Sequence, residues 1–172
     1  MATRTNKKSG PEHVHDVLED FETLMVGTYE KVGDVPRLRA RPMRVAKLDD
    51  DNTLYFVTSI DTSKVDEALV PGRGTVVGQR RNRYLSALGR YEVLKDTAML
   101  KDLWNPAFNV WFDGPEDPTC VLMVFHPEEV ELWDSKGLKG VKYIFDAAKA
   151  LITGAEPPRD DDDDQHEVVA LQ

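Results

Sequence analysis

The start of the chain alternates between apolar and acidic positions at helical spacing. Between residues 11 and 24 the apolar side chains recur every three or four residues. This spacing places them on one face of a helix and leaves the charged residues on the other. We therefore predict an amphipathic helix over residues 11–24.

After residue 24 the pattern becomes that of strands. Short runs rich in β-branched and aromatic residues alternate with turn residues such as Gly33-Asp34 and Asp49-Asp50-Asp51-Asn52, which is typical of strands joined by tight turns. The predicted strands cover residues 24–30, 36–48, 53–59, 74–79, 84–94, 119–127 and 128–134, with a bulge expected at Gly89. Helices are predicted at 63–70, after Asp96 and at 139–154.

About seven strands with few helices between them predict a mainly β fold with peripheral helices. The short spacing favours an antiparallel barrel, because a parallel sheet needs a helix between most of its strands. We expect residues 1–10 to be disordered, residues 11–154 to form a single domain, and residues 155–172 to form an acidic disordered tail. The tail contains five consecutive aspartates, 160–164, which repel one another.

Composition narrows the possible functions. The chain has 172 residues and a net charge of -9, which argues against nucleic acid and anionic membranes as partners. It has no signal-peptide pattern and no apolar run long enough to span a membrane, so we expect a cytoplasmic protein. Cys120, the single cysteine, lies in an apolar run and is expected to be buried and inert.

The sequence lacks the common catalytic motifs. There is no G-x-S-x-G, P-loop, Rossmann glycine pattern, H-E-x-x-H or C-x-x-C. The four histidines are His13 and His15 at the start of the first helix, His126 before a proline and His166 in the tail. No cysteine or third histidine lies near His13 and His15, so no metal site is predicted.

Cations are concentrated in one region of this acidic chain. Arg37, Arg39 and Arg41 alternate along one predicted strand and therefore share a face. If Arg41 meets the turn at Ser63-Lys64, the three would form a phosphate cradle, helped by free N–H groups at the start of the 63–70 helix. The alternative is that these cations pair with carboxylates on a solvated barrel face.

Several short motifs carry a resemblance to a known family. In order along the chain these are R-A-R-P-M, L-Y-F-V-T, S-K-V, R-Y-L-S-A-L-G-R, D-L-W-N-P, W-F-D-G-P-E-D-P and V-E-L-W-D, all between residues 39 and 134. Together they resemble the general stress protein 26-like branch of the pyridoxamine 5'-phosphate oxidase-like superfamily. The resemblance covers roughly residues 11–150.

The resemblance implies a fold, a cofactor and a partner. Members form an FMN-binding split β-barrel of the antiparallel Greek-key type and assemble as homodimers with FMN at the subunit interface. It implies that Arg41, Pro42 and Met43 lie along the flavin and that Thr58, Ser63 and Lys64, with Arg41, meet its phosphate. Contacts to the flavin of the partner chain are implied for Trp133, Gln79 and Arg80.

The same resemblance leaves the activity open. The first hypothesis is an FMN-dependent oxidoreductase of the general stress protein type, acting on a nicotinamide cofactor or a small electrophile. The alternative is a flavin-binding carrier or sensor without catalysis. A third hypothesis is a pocket that binds a deazaflavin or haem, with His126 as the haem ligand. The R-L-x-P segment of the vitamin B6 oxidases is absent, which argues against true pyridoxamine 5'-phosphate oxidase activity.

Overall fold

The computed structural model describes residues 10–32, 35–69, 72–81, 83–134 and 166–171. These residues form one antiparallel sheet of eight strands with short helices beside it, which confirms the mainly β prediction. The strands are β1 (Thr23–Val32), β2 (Val35–Arg44), β3 (Lys47–Leu48), β4 (Leu54–Ser59), β5 (Arg73–Arg80), β6 (Arg83–Leu94), β7 (Cys120–Asp134) and β8 (His166–Ala170). The helices are α1 (Pro11–Leu18), α2 (Ser63–Leu69), α3 (Thr97–Asp102) and a 3-10 helix over Pro106–Val110.

The strand order explains why the sheet curls into a split barrel. The order is β2-β1-β5-β6-β7-β4-β3, with β8 also paired to β7. The end strands β2 and β3 are joined by only Val45 and Ala46. Because two residues span only about 7 Å, the two ends of the sheet have to approach each other, although β2 and β3 are not hydrogen-bonded.

The main core fills the inside of this curled sheet. Alternate residues of each strand point inward, so Leu54 and Phe56 of β4 are completely buried while Tyr55 between them is not. One face of α1 packs on the same core through Val14, Val17 and Leu18. A second, smaller cluster forms on the other side of β4, where Leu100 of α3 packs with the buried Cys120.

The first helix is shorter than predicted. It ends at Leu18, and the chain enters β1 at Thr23, so the prediction of one helix over 11–24 is wrong after residue 18. Phe21 and Leu24 are nevertheless buried in the same core. Their spacing was compatible with a helix, but their burial is achieved by a turn and a strand.

The two predicted strands at 119–127 and 128–134 are a single strand, β7. The register of β6 against β7 shifts between Leu88 and Gly89, which pair with Glu129 and Pro127. Glu128 is therefore the extra residue of a bulge, and a bulge accommodates a proline that cannot donate to the ladder. The bulge lies where one was expected, but its extra residue is on β7, opposite Gly89, and not on β6. A Cβ on Gly89 would lie 2.2 Å from the carbonyl oxygen of His126.

The last strand corrects the prediction of a disordered tail for residues 166–170. Strand β8 pairs with β7 from Glu129 to Trp133, and Val169 is buried in the main core. Glu167 accepts hydrogen bonds from the backbone N–H of Gly10 and from Nδ1 of His13, both at 2.8 Å. The predicted disorder of 1–9 and 155–165, the turn at 33–34 and the helix at 139–154 lie outside the described residues.

None of the helices in the described ranges is long and apolar enough to cross a membrane.

Two neighbouring valines test whether β8 belongs to the folded domain. Val169 is 6% exposed and Val168 is 55% exposed. We predict that Val169→Ser lowers the free energy of unfolding by about 2 kcal/mol, because it removes apolar burial and buries a hydroxyl. The control Val168→Ser should change it by less than about 0.5 kcal/mol, as measured by urea unfolding; equal effects would mean that β8 does not pack on the core.

Candidate functional site

A buried carboxylate brings the predicted cations together. Glu67 of α2 is 7% exposed and accepts hydrogen bonds from Nη2 of Arg41 at 3.0 and 2.7 Å. Thr28 of β1 donates its hydroxyl to the same carboxylate at 2.5 Å and accepts from Nη1 of Arg41 at 2.7 Å. Three elements, β1, β2 and α2, therefore meet at one closed network of hydrogen bonds.

The register of the strands explains why Arg41 reaches this network. Arg41 lies opposite Val26, which is buried, so Arg41 points to the inner face of the sheet. Thr28 is two residues from Val26 and shares that face. Helix α2 packs against this side of β1, which places Glu67 within reach of both.

Ser63 and Lys64 join the same cluster from the start of α2. Burial is the largest single influence on the pKa of Glu67, and it raises that pKa. The opposing influences are hydrogen bonds from Thr28 and Arg41, the charge of Arg41 and the hydroxyl of Ser63. Together they outweigh burial, so the pKa of Glu67 lies below its usual range. Ser63 and Glu67 are four residues apart and therefore lie on one face of the helix. We conclude that Glu67 is held as a carboxylate.

Lys64 is a half-buried cation next to another cation. Burial lowers the pKa of Lys64, and the charge of Arg41 lowers it further, while Glu67 opposes the shift. Within the described ranges Lys64 forms no salt bridge, whereas Arg41 is paired with Glu67 and Arg39 with Glu30 at 2.6 Å. The carboxylate pairing considered for the arginines is thus present at Arg39 and also at Arg41. Of the two cations near Glu67, Lys64 is the one that remains available to an external anion.

Thr58 supplies a buried hydroxyl near the start of α2. Its side chain is 3% exposed at the end of β4, five residues before Ser63. The hydroxyl oxygen has no hydrogen-bond partner among the described residues. Since buried polar atoms normally have a partner, this atom is suited to meet a polar ligand.

The backbone of residues 41–43 is accessible because β2 is an edge of the sheet. Among the described strands β2 pairs only with β1, so its other side presents unpaired backbone groups. Pro42 is exposed on the outer face, opposite Met25, while the side chain of Met43 packs against the main core. Any role of this segment in binding therefore falls mainly to its backbone.

The residues predicted to reach a partner chain separate into two groups. Gln79 and Trp133 both lie level with Tyr84 on the outer face of the sheet. The ring of Trp133 stacks on His166 of β8, with 5.0 Å between ring centroids and 18° between planes. Arg80 instead donates to the backbone carbonyl of Asp20 in its own chain, so it is not on the face that Gln79 and Trp133 share.

A separate cavity lies away from these residues. Its volume is about 330 Å³, and it lies between α1 and the connection from β2 to β3, where His15, Glu22 and Arg44 line it. None of the predicted site residues lines this cavity. No group of three potential metal-ligating side chains occurs in the part of the chain that the structure describes.

Sequence reasoning missed Glu67 and Thr28. Helical spacing from Ser63 would have pointed to Glu67, but nothing local indicated that Thr28 lies opposite Arg41 on a shared face. His126 was considered as a haem ligand. It is partly exposed and near Thr53 and Glu92, with Nδ1 and Nε2 each 3.3 Å from an oxygen of those side chains, which is an ordinary polar setting.

Two buried threonines test whether the Thr58 hydroxyl is unpaired. Thr75 donates its hydroxyl to the carbonyl oxygen of Ala87 at 2.9 Å. In ligand-free protein we predict that Thr75→Val lowers the free energy of unfolding by about 1 kcal/mol, the usual value of one hydrogen bond. Thr58→Val should leave it unchanged or raise it by up to about 1 kcal/mol, because a methyl group replaces an unpaired hydroxyl. Equal losses in thermal unfolding would show that Thr58 is hydrogen-bonded.

Comparison with known proteins identifies the family of this chain. The family model described as "Pyridoxamine 5'-phosphate oxidase like" matches residues 10–158. General stress protein 26 of Bacillus subtilis (strain 168) is 26% identical over 136 residues, covering 76% of this chain and 92% of that protein.

Solved structures show the same fold. A putative general stress protein 26 from Jannaschia sp. CCS1 superimposes with a TM-score of 0.65 at 25% identity, covering 92% of this chain and 96% of that one. The general stress FMN/FAD binding protein of Xanthomonas citri gives a TM-score of 0.59 at 23% identity, covering 74% and 89%. The motifs, the split sheet and the family match lead to one conclusion: this chain belongs to the pyridoxamine 5'-phosphate oxidase-like family.

Proposed function

We propose that this protein binds FMN and uses it in an oxidoreductase reaction. The observation that carries the proposal is the half-buried Lys64, which has no salt bridge among the described residues and lies close enough to Arg41 and Glu67 to feel both charges. A lysine beside the Ser63 hydroxyl at the start of α2 fits a phosphate group, and the buried Thr58 hydroxyl, five residues before Ser63, has no hydrogen-bond partner among the described residues. The similar protein of Xanthomonas citri is described as FMN/FAD binding, which supports a flavin as the ligand.

In this proposal each residue has a separate task. Lys64 and Ser63 bind the phosphate, Arg41 adds its charge while Glu67 and Thr28 hold it in place, and Thr58 donates to a polar atom of the ligand. The edge of β2 at residues 41–43 offers backbone groups to the ring. When bound, FMN supplies the redox chemistry by accepting and returning a hydride or electrons.

The chain's own residues supply orientation and charge rather than proton transfer. Glu67 is the buried carboxylate of the cluster, and its lowered pKa keeps it ionised near neutral pH. A general acid needs a pKa near the working pH, so Glu67 does not fit that role. The proposed reaction therefore relies on the cofactor for its chemistry and on the protein for binding.

The phosphate contact can be tested with one substitution. Lys64→Met keeps most of the side-chain volume and leaves no carboxylate unpaired, since Glu67 retains Arg41. We predict that it weakens FMN binding about tenfold or more, the usual loss for a charged hydrogen bond, and leaves riboflavin binding unchanged because riboflavin has no phosphate.

The control for this substitution is Lys101→Met. Lys101 is exposed on α3 and pairs with Glu116 at 2.5 Å, so its removal should not affect FMN. Binding is measured by quenching of flavin fluorescence, after the visible spectrum of the protein as isolated has been recorded. Protein that neither carries a flavin nor binds added FMN would overturn the proposal. Flavin binding without oxidation of NADH or NADPH would leave a carrier or sensor.

We further propose that two copies of the chain form a homodimer through the outer face of the sheet. Six large apolar side chains there are between 36% and 54% exposed: Met25, Tyr29, Leu38, Val77, Tyr84 and Leu88. The register makes this outer apolar face continuous across β2, β1, β5 and β6, since Leu38 pairs with Tyr29 and Met25 with Val77. Exposed apolar patches of this kind mark interaction sites.

The position of this face relates it to the proposed flavin site. Pro42 lies on this side of the sheet, directly opposite Met25. Gln79 and Trp133 lie on the same side, on the two strands that flank Tyr84. A second copy docked on the outer apolar face would therefore be close to residues that the family resemblance assigns to the partner's flavin. Each site would be completed by both chains.

A charge placed at the centre of the face tests the dimer. Val77 on β5 is 42% exposed, and we predict that Val77→Arg converts a dimer into a monomer because an unpaired charge would be buried at the interface. Val35→Arg is the control, since Val35 is 64% exposed and lies on the opposite face of β2. Light scattering coupled to size exclusion measures the mass. A monomeric parent protein, or a dimeric Val77→Arg variant, would contradict the proposal.

A further inference from the structure

The charge balance of the cation cluster has a consequence for the kind of phosphate it binds. Arg41 and Lys64 each carry one positive charge and Glu67 carries one negative charge, so the three groups together carry a single positive charge. Glu67 is 7% exposed, which limits the screening of its charge by water. A ligand phosphate that reaches Lys64 and Arg41 will therefore also experience Glu67.

Glu67 already occupies the donors that a phosphate would use. Nη2 of Arg41 contacts both of its oxygens at 3.0 and 2.7 Å, and the Thr28 hydroxyl contacts one at 2.5 Å. Its pKa is also lowered by the hydroxyl of Ser63. Because all of these groups hold the ionised form, a bound phosphate would be accommodated beside a carboxylate and would not replace it.

Phosphate groups differ in the charge that they bring. A phosphomonoester such as that of FMN carries about 1.5 to 2 negative charges at neutral pH, since its second pKa is about 6. A phosphodiester carries only one negative charge, because its second acidic oxygen is esterified. Like charges close together in a partly buried site repel, and the repulsion grows with the charge of the ligand.

We propose that Glu67 is a specificity-determining residue that reduces the preference of this site for a dianionic phosphomonoester over a monoanionic phosphodiester. This inference rests on the proposed flavin-binding function and assigns to Glu67 a role that no motif in the sequence indicates. Arg41 remains the group that Glu67 orients. The carboxylate makes the site less selective for FMN against a monoanionic phosphodiester of the same flavin than the two cations alone would be.

The experiment compares three ligands on matched variants. Dissociation constants for FMN, the methyl ester of its phosphate (a monoanionic phosphodiester) and riboflavin are measured at neutral pH and low salt for the parent protein, Glu67→Gln and Asp66→Asn. Asp66 is the exposed acidic neighbour of Glu67 on α2, so Asp66→Asn removes one negative charge without changing the buried network. Comparing each ligand with itself across variants cancels the contacts of the added methyl group.

We expect Glu67→Gln to tighten FMN binding about tenfold, corresponding to partial removal of one close charge repulsion. The methyl phosphodiester should tighten by less than about threefold and riboflavin should be unchanged, because they bring one negative charge and none. Asp66→Asn should change each constant by less than about twofold, since exposed charges are screened.

A second variant keeps the test decisive if Glu67→Gln does not fold. Lys64→Met removes a positive charge from the same cluster, so it should shift the ratio of FMN to methyl phosphodiester affinity in the opposite direction, weakening FMN more than the diester. A ratio unchanged in both variants would overturn the inference while leaving flavin binding intact. Weaker FMN binding in Glu67→Gln would also overturn it and would make Glu67 solely a positioning residue for Arg41. No binding of any flavin by the parent protein would overturn the proposed function itself.

Discussion

The buried carboxylate of Glu67 is the constraint on which the site depends. A carboxylate that is removed from water is strongly destabilising unless it is paired and hydrogen-bonded. Here the compensation comes from Arg41 and Thr28, which lie on neighbouring strands, so the charge can be buried only when β1, β2 and α2 are all in place. The network therefore links the folding of the edge strand to the position of the cations.

The same network decides which cation is available to a ligand. Because Arg41 satisfies Glu67, it cannot act as an uncommitted phosphate-binding group, whereas Lys64 is close to both without a salt bridge among the described residues. A half-buried lysine beside an arginine is unfavourable for the folded protein on its own, since both burial and the neighbouring charge disfavour its ionised form. Arrangements of this kind are common at functional sites.

The sheet divides its two faces between packing and interaction. The inner face holds the core, α2 and the cation cluster, and the outer face presents Met25, Val77 and Leu88 to the surroundings. Short-range pattern alone predicted most strands correctly, because β4, β5 and β6 alternate or are rich in β-branched residues. It failed at residues 19–24, where the spacing of Phe21 and Leu24 also suited a helix, and at β8, where five consecutive aspartates suggested a tail.

What the sequence by itself determined is local: the strands, the turn at Asp49–Asn52, the bulge opposite Gly89 and the set of cations with the motifs that indicate the family. These depend on side-chain alternation and on turn residues, which act over a few positions. Only the tertiary structure decided that Thr28, Arg41 and Glu67 meet, that β8 pairs with β7, and that Gln79 and Trp133 share a face. The hydrogen bonds of the Glu67 network join residues up to 39 positions apart in the sequence. The pairing of β8 with β7 joins residues still further apart, such as Glu129 and Ala170. They depend on strand order and register, which arise from the packing of the whole sheet around its core.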